Sequence, residues 1–281
     1  MLNRKDLLGL IDVSASEITE ILDLAQEFKN RIKRGEKKSP YLQGKTATIL
    51  FYENSTRTRT SFEQAAKYLG ASVVNIAAGA SSVAKGETLV DTGKTLDAQR
   101  NDFIIMRHNM GGAPYLLAKT VKASVLNAGD GINEHPTQAL LDMLTMRETF
   151  GSLKGLKVAI LGDIKHSRVA KSNLFGLKTM GAEVTMFAPN TLLPKGIEEL
   201  GAKVYRSREE ALDGADVVMG LRLQLERQQV GNFPSLGEYA ANYGVDEKIL
   251  SLAKPHAIVL HPGPVNRGVE LTSGVIDHER S

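Results

Sequence analysis

A chain of 281 residues, 42% hydrophobic and 24% charged, has the composition of an ordinary water-soluble protein and enough length to bury two modest cores. Its 35 basic and 32 acidic residues leave a net charge of +3 with no basic run, which argues against a nucleic-acid surface and for positive charge focused in one cleft. Having no cysteine excludes disulfides, thiolate zinc sites and a cysteine nucleophile; no segment has the apolar length of a signal peptide or a membrane span, so a cytoplasmic protein is expected.

The first expected element is a helix. Ser14 and Glu17 make a capping box ahead of Ile18, Ile21, Leu22, Ala25, Phe28 and Ile32, a stripe that ends near Gly35. Residues 46–51 then read as a strand, and Phe62, Ala65, Ala66 and Leu69 as the apolar face of a helix closed by Gly70. Between the two stands Ser55-Thr56-Arg57-Thr58-Arg59, three hydroxyls and two guanidiniums at a helix N-terminus. Free backbone N–H groups and the positive end of the helix dipole favour an anion there, and planar Arg forks bind phosphate oxygens directionally. The pentapeptide therefore reads as a phosphate seat, with an N-cap flanked by solvated arginines as the alternative.

Short strands are expected next around residues 73–76, 103–106 and 124–126, with helical stretches around 89–98 and 115–118. Residues 136–150 form one amphipathic helix through Ala139, Leu140, Met143, Leu144 and Phe150, broken by Gly151, and are expected to bridge two domains. A second series follows: a strand at 157–161, a helix at 169–177, and segments at 183–187, 197–200, 216–221 and 257–260. Residues 222–243, polar and rich in Gln, Glu and Gly, read as the loosest region. The alternation predicts an α/β protein of two domains, each a mostly parallel sheet flanked by helices, joined by the bridging helix. The expected divisions are 1–134, 135–150 and 151–281.

Open parallel sheets bind ligands at strand carboxyl ends, and further polar clusters fall there. Arg107, in Met106-Arg107-His108, ends one strand and reads either as a partner of the phosphate loop or as a surface charge. His135 and Gln138, at i and i+3 of the bridging helix, share a face and suit one carbonyl or amide. Alternatively, Pro136 marks the first turn and His135 is only a cap. Gly162-Asp163-Ile164-Lys165-His166-Ser167-Arg168 joins a strand to a helix but lacks the GxGxxG spacing of a dinucleotide site; its Arg168 points instead to carboxylate recognition. Leu221-Arg222-Leu223-Gln224 ends a later strand with another fork donor and an amide. Two arginines suit two carboxylates; as isolated residues they would be rim charges.

Seven motifs in order resemble the aspartate/ornithine carbamoyltransferase family: Ser55 to Arg59, Lys85-Gly86-Glu87-Thr88, Met106-Arg107-His108, His135-Pro136-Thr137-Gln138, Gly162-Asp163 with Arg168, Leu221-Arg222 with Gln224, and His261-Pro262-Gly263-Pro264. The resemblance runs from the first helix to the end and falls on the aspartate side of the family. It implies transfer of the carbamoyl group of carbamoyl phosphate to L-aspartate, giving N-carbamoyl-L-aspartate and phosphate for pyrimidine synthesis. Ser55, Thr56, Arg57 and Thr58 are then expected to hold the phosphate, and Thr58, Arg107 and His135 the developing oxyanion. Gln138 and the backbone around Gly263 and Pro264 would recognise the carbamoyl NH2, Arg168 the aspartate α-carboxylate, and Arg222 with Gln224 its side-chain carboxylate. Lys85 would reach either anion; with Ser81 it lies in a small-residue loop that the family inserts into a neighbouring subunit, which implies a homotrimer with shared sites.

No cofactor, metal or covalent nucleophile is expected, since phosphate is already a good leaving group. Relatives occur as bare trimers, with a regulatory chain or beside dihydroorotase, and the sequence does not choose among these. Ornithine carbamoyltransferase is the nearest rival; it needs acidic recognition and a cysteine in the loop here occupied by His261-Pro262-Gly263-Pro264. A noncatalytic phosphate-binding scaffold and a nucleotide-binding dehydrogenase stand further off. Family chains continue beyond the region of Asp277-His278-Glu279-Arg280-Ser281 into a helix that packs back across both domains; without it the fold is expected to persist with weakened closure.

Overall fold

The computed structural model describes residues 4–77, 86–225 and 235–281. The chain divides into two compact units, Met1–Thr137 and Gln138–Ser281. Unit 1 holds a four-stranded parallel sheet in the order β2-β1-β3-β4, formed by β1 (Thr46–Phe51), β2 (Ser72–Ala77), β3 (Phe103–His108) and β4 (Ser124–Asp130). Helices α1 (Ala15–Lys33), α2 (Thr56–Tyr68), α3 (Leu89–Ala98) and α4 (Ala113–Thr120) complete it. The capping box is present: Ser14 accepts from the Glu17 N–H, and Glu17 reaches back to the Ser14 N–H.

Beta-strand periodicity sets the core of this unit. Alternate side chains of β1 leave opposite faces, so Ala47, Ile49 and Phe51 join Ala66 of α2, whereas Leu50 joins Leu96 of α3 and Leu117 of α4. A strand covered on both faces has no place for exposed polar residues, which is why Thr46–Phe51 reads as a continuous apolar run. Thr48 is the buried polar member, and its hydroxyl is bonded to Asn101 inside the core; Thr46, at the strand's start, is only half-buried.

Unit 2 repeats the design with five parallel strands in the order β7-β6-β5-β8-β9. These are β5 (Lys157–Gly162), β6 (Glu183–Phe187), β7 (Lys203–Val204), β8 (Val217–Leu221) and β9 (Ile258–Leu260). Helix α5 (Pro136–Phe150) contains the division between the units, after Thr137. It is followed by α6 (Arg168–Thr179), α7 (Arg208–Leu212), α8 (Leu236–Tyr243), α9 (Glu247–Leu250) and α10 (Ser273–Ile276). Ala159, Leu161 and Val218 share a core with Leu212 of α7, Leu250 of α9, Val275 of α10 and Val245 between α8 and α9, and Tyr243 of α8 packs against it.

Residues 197–200, one of the segments of the second series, form turns: Leu200 N–H bonds Ile197 O and Gly201 N–H bonds Glu198 O, while glycines with positive φ at Gly196 and Gly201 bracket them. Ile197 is buried and Leu200 exposed, so a single side chain anchors the segment. One segment differs from the sequence expectation. Residues 236–243, expected to be loose, form α8. Ser235 caps it by accepting from the Glu238 N–H, and Tyr239 and Tyr243, one turn apart, stack at 5.4 Å with Tyr239 fully buried. No helix among the described residues is long and apolar enough to cross a membrane.

Candidate functional site

In unit 1 the chain leaves β1 for α2 and β2 on one side, while β3 lies on the other. Strand order therefore reverses between β1 and β3, and the carboxyl ends of these strands frame the crevice that open α/β sheets use for ligands. Phe51 and Arg107 pair across this point, and the Tyr52 N–H extends the ladder to Arg107 O. Ser55, an extended residue, precedes α2 and spends no side-chain hydrogen bond on capping it. The hydroxyl and the first-turn N–H groups thus sit at a helix N-terminus, where the dipole favours an anion.

The motif arginines part company in the structure. Arg57 is exposed in the first turn, whereas the Arg59 guanidinium lies 5.6 Å from the Phe51 ring centroid and packs over it. Arg107 is pulled into the same crevice. Its Nη1 donates to Thr58 Oγ1 at 3.3 Å and to Ala128 O at 3.4 Å, and its Nε donates to Glu53 Oε2 at 3.1 Å. Thr58 and Arg107, expected to act together, are brought into contact.

His135 is carried on the loop after β4, the strand next to β3. Asp130 organises this loop. Its carboxylate accepts from Gly112 N–H, Glu134 N–H, Asn127 Nδ2 and Asn133 Nδ2, all at 3.0 Å or less. Glu134 adds a bond from the Leu10 N–H at 2.7 Å. Gly131, with φ of +52°, allows the close approach: a Cβ there would stand 2.8 Å from Gly111 N. His135 emerges buried, its Nδ1 3.5 Å from Thr137 Oγ1. Nearby, burial pushes the His108 imidazole below its usual value against the opposing pull of Glu53 and Asp130; its Nδ1 accepts from the Met110 N–H.

In unit 2 the strand order reverses between β5 and β8. Gly162 pairs with Leu221 there at φ of +124°, and a Cβ would fall 2.2 Å from Leu221 O. The glycine serves strand approach at the switch point, which explains its presence without a pyrophosphate site. Buried Asp163 then fastens the two strand ends. It accepts from His166 Nδ1 at 2.8 Å and from the Gln224 N–H at 3.2 Å, and Gln224 Nε2 donates to His166 O at 2.9 Å. Gln224 thus braces the loops as well as standing beside Arg222. Arg168 opens α6 and is buried, while Arg222 Nη1 donates to Leu223 O at 3.4 Å, the carbonyl that also receives Asn266 Nδ2.

The loop after β9 holds the last predicted residues. His261 Nδ1 accepts from the Gly263 N–H at 2.8 Å, and Gly263-Pro264 is a cis peptide. Gln138 lies in the first turn of α5 and donates from Nε2 to Asp142 Oδ1 at 2.9 Å. Burial raises the Asp142 carboxyl to about 6, against the lowering effect of bonds from Asn173 and Gln138. Ser81 and Lys85 lie outside the described residues. Sequence reasoning overlooked Glu53, Asp130 and Asp142, the acids that orient the donors; the one legible signal was the i,i+4 spacing of Gln138 and Asp142. Among the described residues no three His, Cys, Asp or Glu side chains converge as metal ligands.

Both units are doubly wound parallel α/β layers whose polar side chains gather where the strand order turns, the layout of ligand-binding α/β enzymes. Residues 5–148 match the family model described as aspartate/ornithine carbamoyltransferase, carbamoyl-P binding domain, and residues 154–281 match the Asp/Orn binding domain of the same family. The chain belongs to the aspartate/ornithine carbamoyltransferase family. It is 63% identical over 280 residues to the aspartate carbamoyltransferase catalytic subunit of Ruminiclostridium cellulolyticum, covering 100% of this chain and 90% of the relative. Among solved structures it is similar to aspartate transcarbamoylase from Trypanosoma cruzi in complex with carbamoyl phosphate and aspartate, with 35% identity, a TM-score of 0.87, and coverage of 98% and 90%. It is also similar to ornithine carbamoyltransferase from Thermus thermophilus, with 29% identity, a TM-score of 0.87, and coverage of 100% and 92%.

Proposed function

We propose that this chain is an aspartate carbamoyltransferase, moving the carbamoyl group of carbamoyl phosphate onto L-aspartate. The observation that carries the reading is the Arg107–Thr58 contact at the unit 1 switch point, directly beside the exposed Arg57. Ser55, Thr56, Arg57 and Thr58 hold the phosphate through hydroxyls, guanidinium and free helix N–H groups. The choice of aspartate over ornithine rests on Arg222 and Arg168 at the second switch point, on the cysteine-free loop at His261, and on 63% identity to a relative named for aspartate.

The chemistry follows from these charges. The aspartate amine attacks the carbamoyl carbon, the bond from that carbon to the phosphate oxygen breaks, and phosphate leaves with the electron pair and accepts the amine proton. Negative charge grows on the carbamoyl oxygen, where Thr58, Arg107 and His135 donate; one such donor is worth about a hundredfold in rate. The NH2 group needs acceptors instead, which Gln138 Oε1 and the carbonyls around Gly263 and Pro264 supply. Arg168 takes the α-carboxylate and Arg222, with Gln224, the side-chain carboxylate, so catalysis consists of aligning two anions and stabilising charge. Lys85 joins them from a second subunit, with Ser81, in a cytoplasmic homotrimer that serves pyrimidine synthesis.

Phosphate release from carbamoyl phosphate by the purified chain tests the reading. Release that saturates with L-aspartate is expected; release indifferent to aspartate, or none with carbamoyl phosphate bound, overturns it.

A further inference from the structure

The Asp142 carboxylate is buried and receives two side-chain amides. Gln138 Nε2 donates to one oxygen at 2.9 Å and Asn173 Nδ2 to the other at 2.8 Å. Asn173 is itself fixed, since the same Nδ2 also donates to Val169 O at 3.2 Å, one turn earlier in α6. An ionised carboxylate has no proton to give, so the edge of the Gln138 amide that faces it is the NH2 edge. The carbonyl edge is then turned the other way. From the amide alone, either edge has the same shape and size; the carboxylate is what makes them unequal.

We infer that Asp142 is a positioning residue that sets the polarity of the Gln138 amide, so that Oε1 faces the carbamoyl NH2 and the site distinguishes an NH2 group from a methyl of the same size. The inference rests on the proposed function, which places Gln138 at the carbamoyl NH2. A donor-bearing substrate group facing a second NH2 would leave both unsatisfied, and sites built to bond an N–H reject analogues through such unmet bonds. The carboxyl value of about 6 leaves Asp142 ionised at neutral pH, as this role requires.

Acetyl phosphate, which carries a methyl where carbamoyl phosphate carries NH2, is the probe. Dissociation constants for both are measured on the full chain, wild type and Asp142→Asn, with folding checked by circular dichroism. Asp142→Asn is expected to weaken carbamoyl phosphate about tenfold and acetyl phosphate by less than about threefold, because an Asn at that position accepts either edge of the amide. In a Gln138→Met background the same substitution is expected to add nothing, as coupled residues are non-additive. Equal weakening of both ligands, or a full additional effect in the Gln138→Met background, overturns the inference and leaves the proposed function standing. Failure of the wild type to bind carbamoyl phosphate removes the function itself. If Asp142→Asn does not fold, Asn173→Ala carries the test: a smaller selective loss of carbamoyl phosphate supports the inference, and an equal loss of both ligands contradicts it.

Discussion

Arg107 shows how one side chain is made into a directed donor. Its strand delivers it to the switch point, Glu53 fixes the Nε edge, and Thr58 and Ala128 O meet Nη1, so the guanidinium is oriented before any substrate arrives. Thr58→Ala is expected to lower kcat about a hundredfold with little change in thermal stability, read from steady-state rates beside a melting curve. Arg222→Ala, by contrast, should raise the KM for aspartate at least about tenfold and leave carbamoyl-phosphate affinity within about threefold; equal loss of both ligands would contradict the division of roles. The donors were legible in the sequence because hydroxyls and arginines cluster at helix and strand ends. The orienting acids Glu53 and Asp130 were not, since Glu53 reaches Arg107 only through strand pairing and Asp130 gathers its donors only once the loop after β4 has folded. Arg59 is the opposite case: it sits in the motif, yet the structure gives it to the Phe51 ring.

Strands and helices impose their own requirements at the same points. Gly162→Ala is expected to destabilise by roughly 2 kcal/mol or more, because the new methyl meets the Leu221 carbonyl. Gly155→Ala, at φ of +81° with open space around it, should cost only about 1 kcal/mol, and paired denaturant midpoints would separate strain from collision. Helix α5 carries a titration of its own. Asp142 has a folded value near 6 against an ordinary 3.8, so between these pH values the folded chain binds more proton than the unfolded one and stability falls as pH rises. That penalty is fully developed above pH 6, on the order of 3 kcal/mol, and vanishes below about 4. The melting temperature of Asp142→Asn relative to wild type should therefore climb between pH 4 and 6 and then level off; a flat difference would contradict the assignment. Most elements were readable from periodicity and punctuation, the capping box of α1 and the apolar β1 and β5 above all. Helix α8 was not, because its anchor is an aromatic pair within a polar stretch and the ring Tyr243 stacks on, Phe187, comes from the distant strand β6.

Across the whole chain, one topological idea occurs twice, and the proposed reading divides the work between the copies: a phosphate at the α2 N-terminus of unit 1, and carboxylates at Arg168, which opens α6, and Arg222, which follows β8, in unit 2. If sites are shared between subunits, as proposed, an effect is expected beyond one chain. Inactive Lys85→Ala protein mixed with inactive Arg57→Ala protein should regain activity on subunit exchange, because some sites in the hybrids draw both residues from unmutated chains. No recovery after demonstrated exchange would confine each site to one chain. The family and the two-domain α/β design were legible because the motifs fall in order along the chain. In the proposed reading a handful of unit 2 side chains set the acceptor, and that choice decides between the two branches of the family. Purified protein supplied with carbamoyl phosphate and an equimolar mixture of L-aspartate and L-ornithine, with products weighed by mass spectrometry, should yield N-carbamoyl-L-aspartate and no carbamoyl-ornithine. Carbamoyl-ornithine as the main product would contradict the roles given to Arg168 and Arg222.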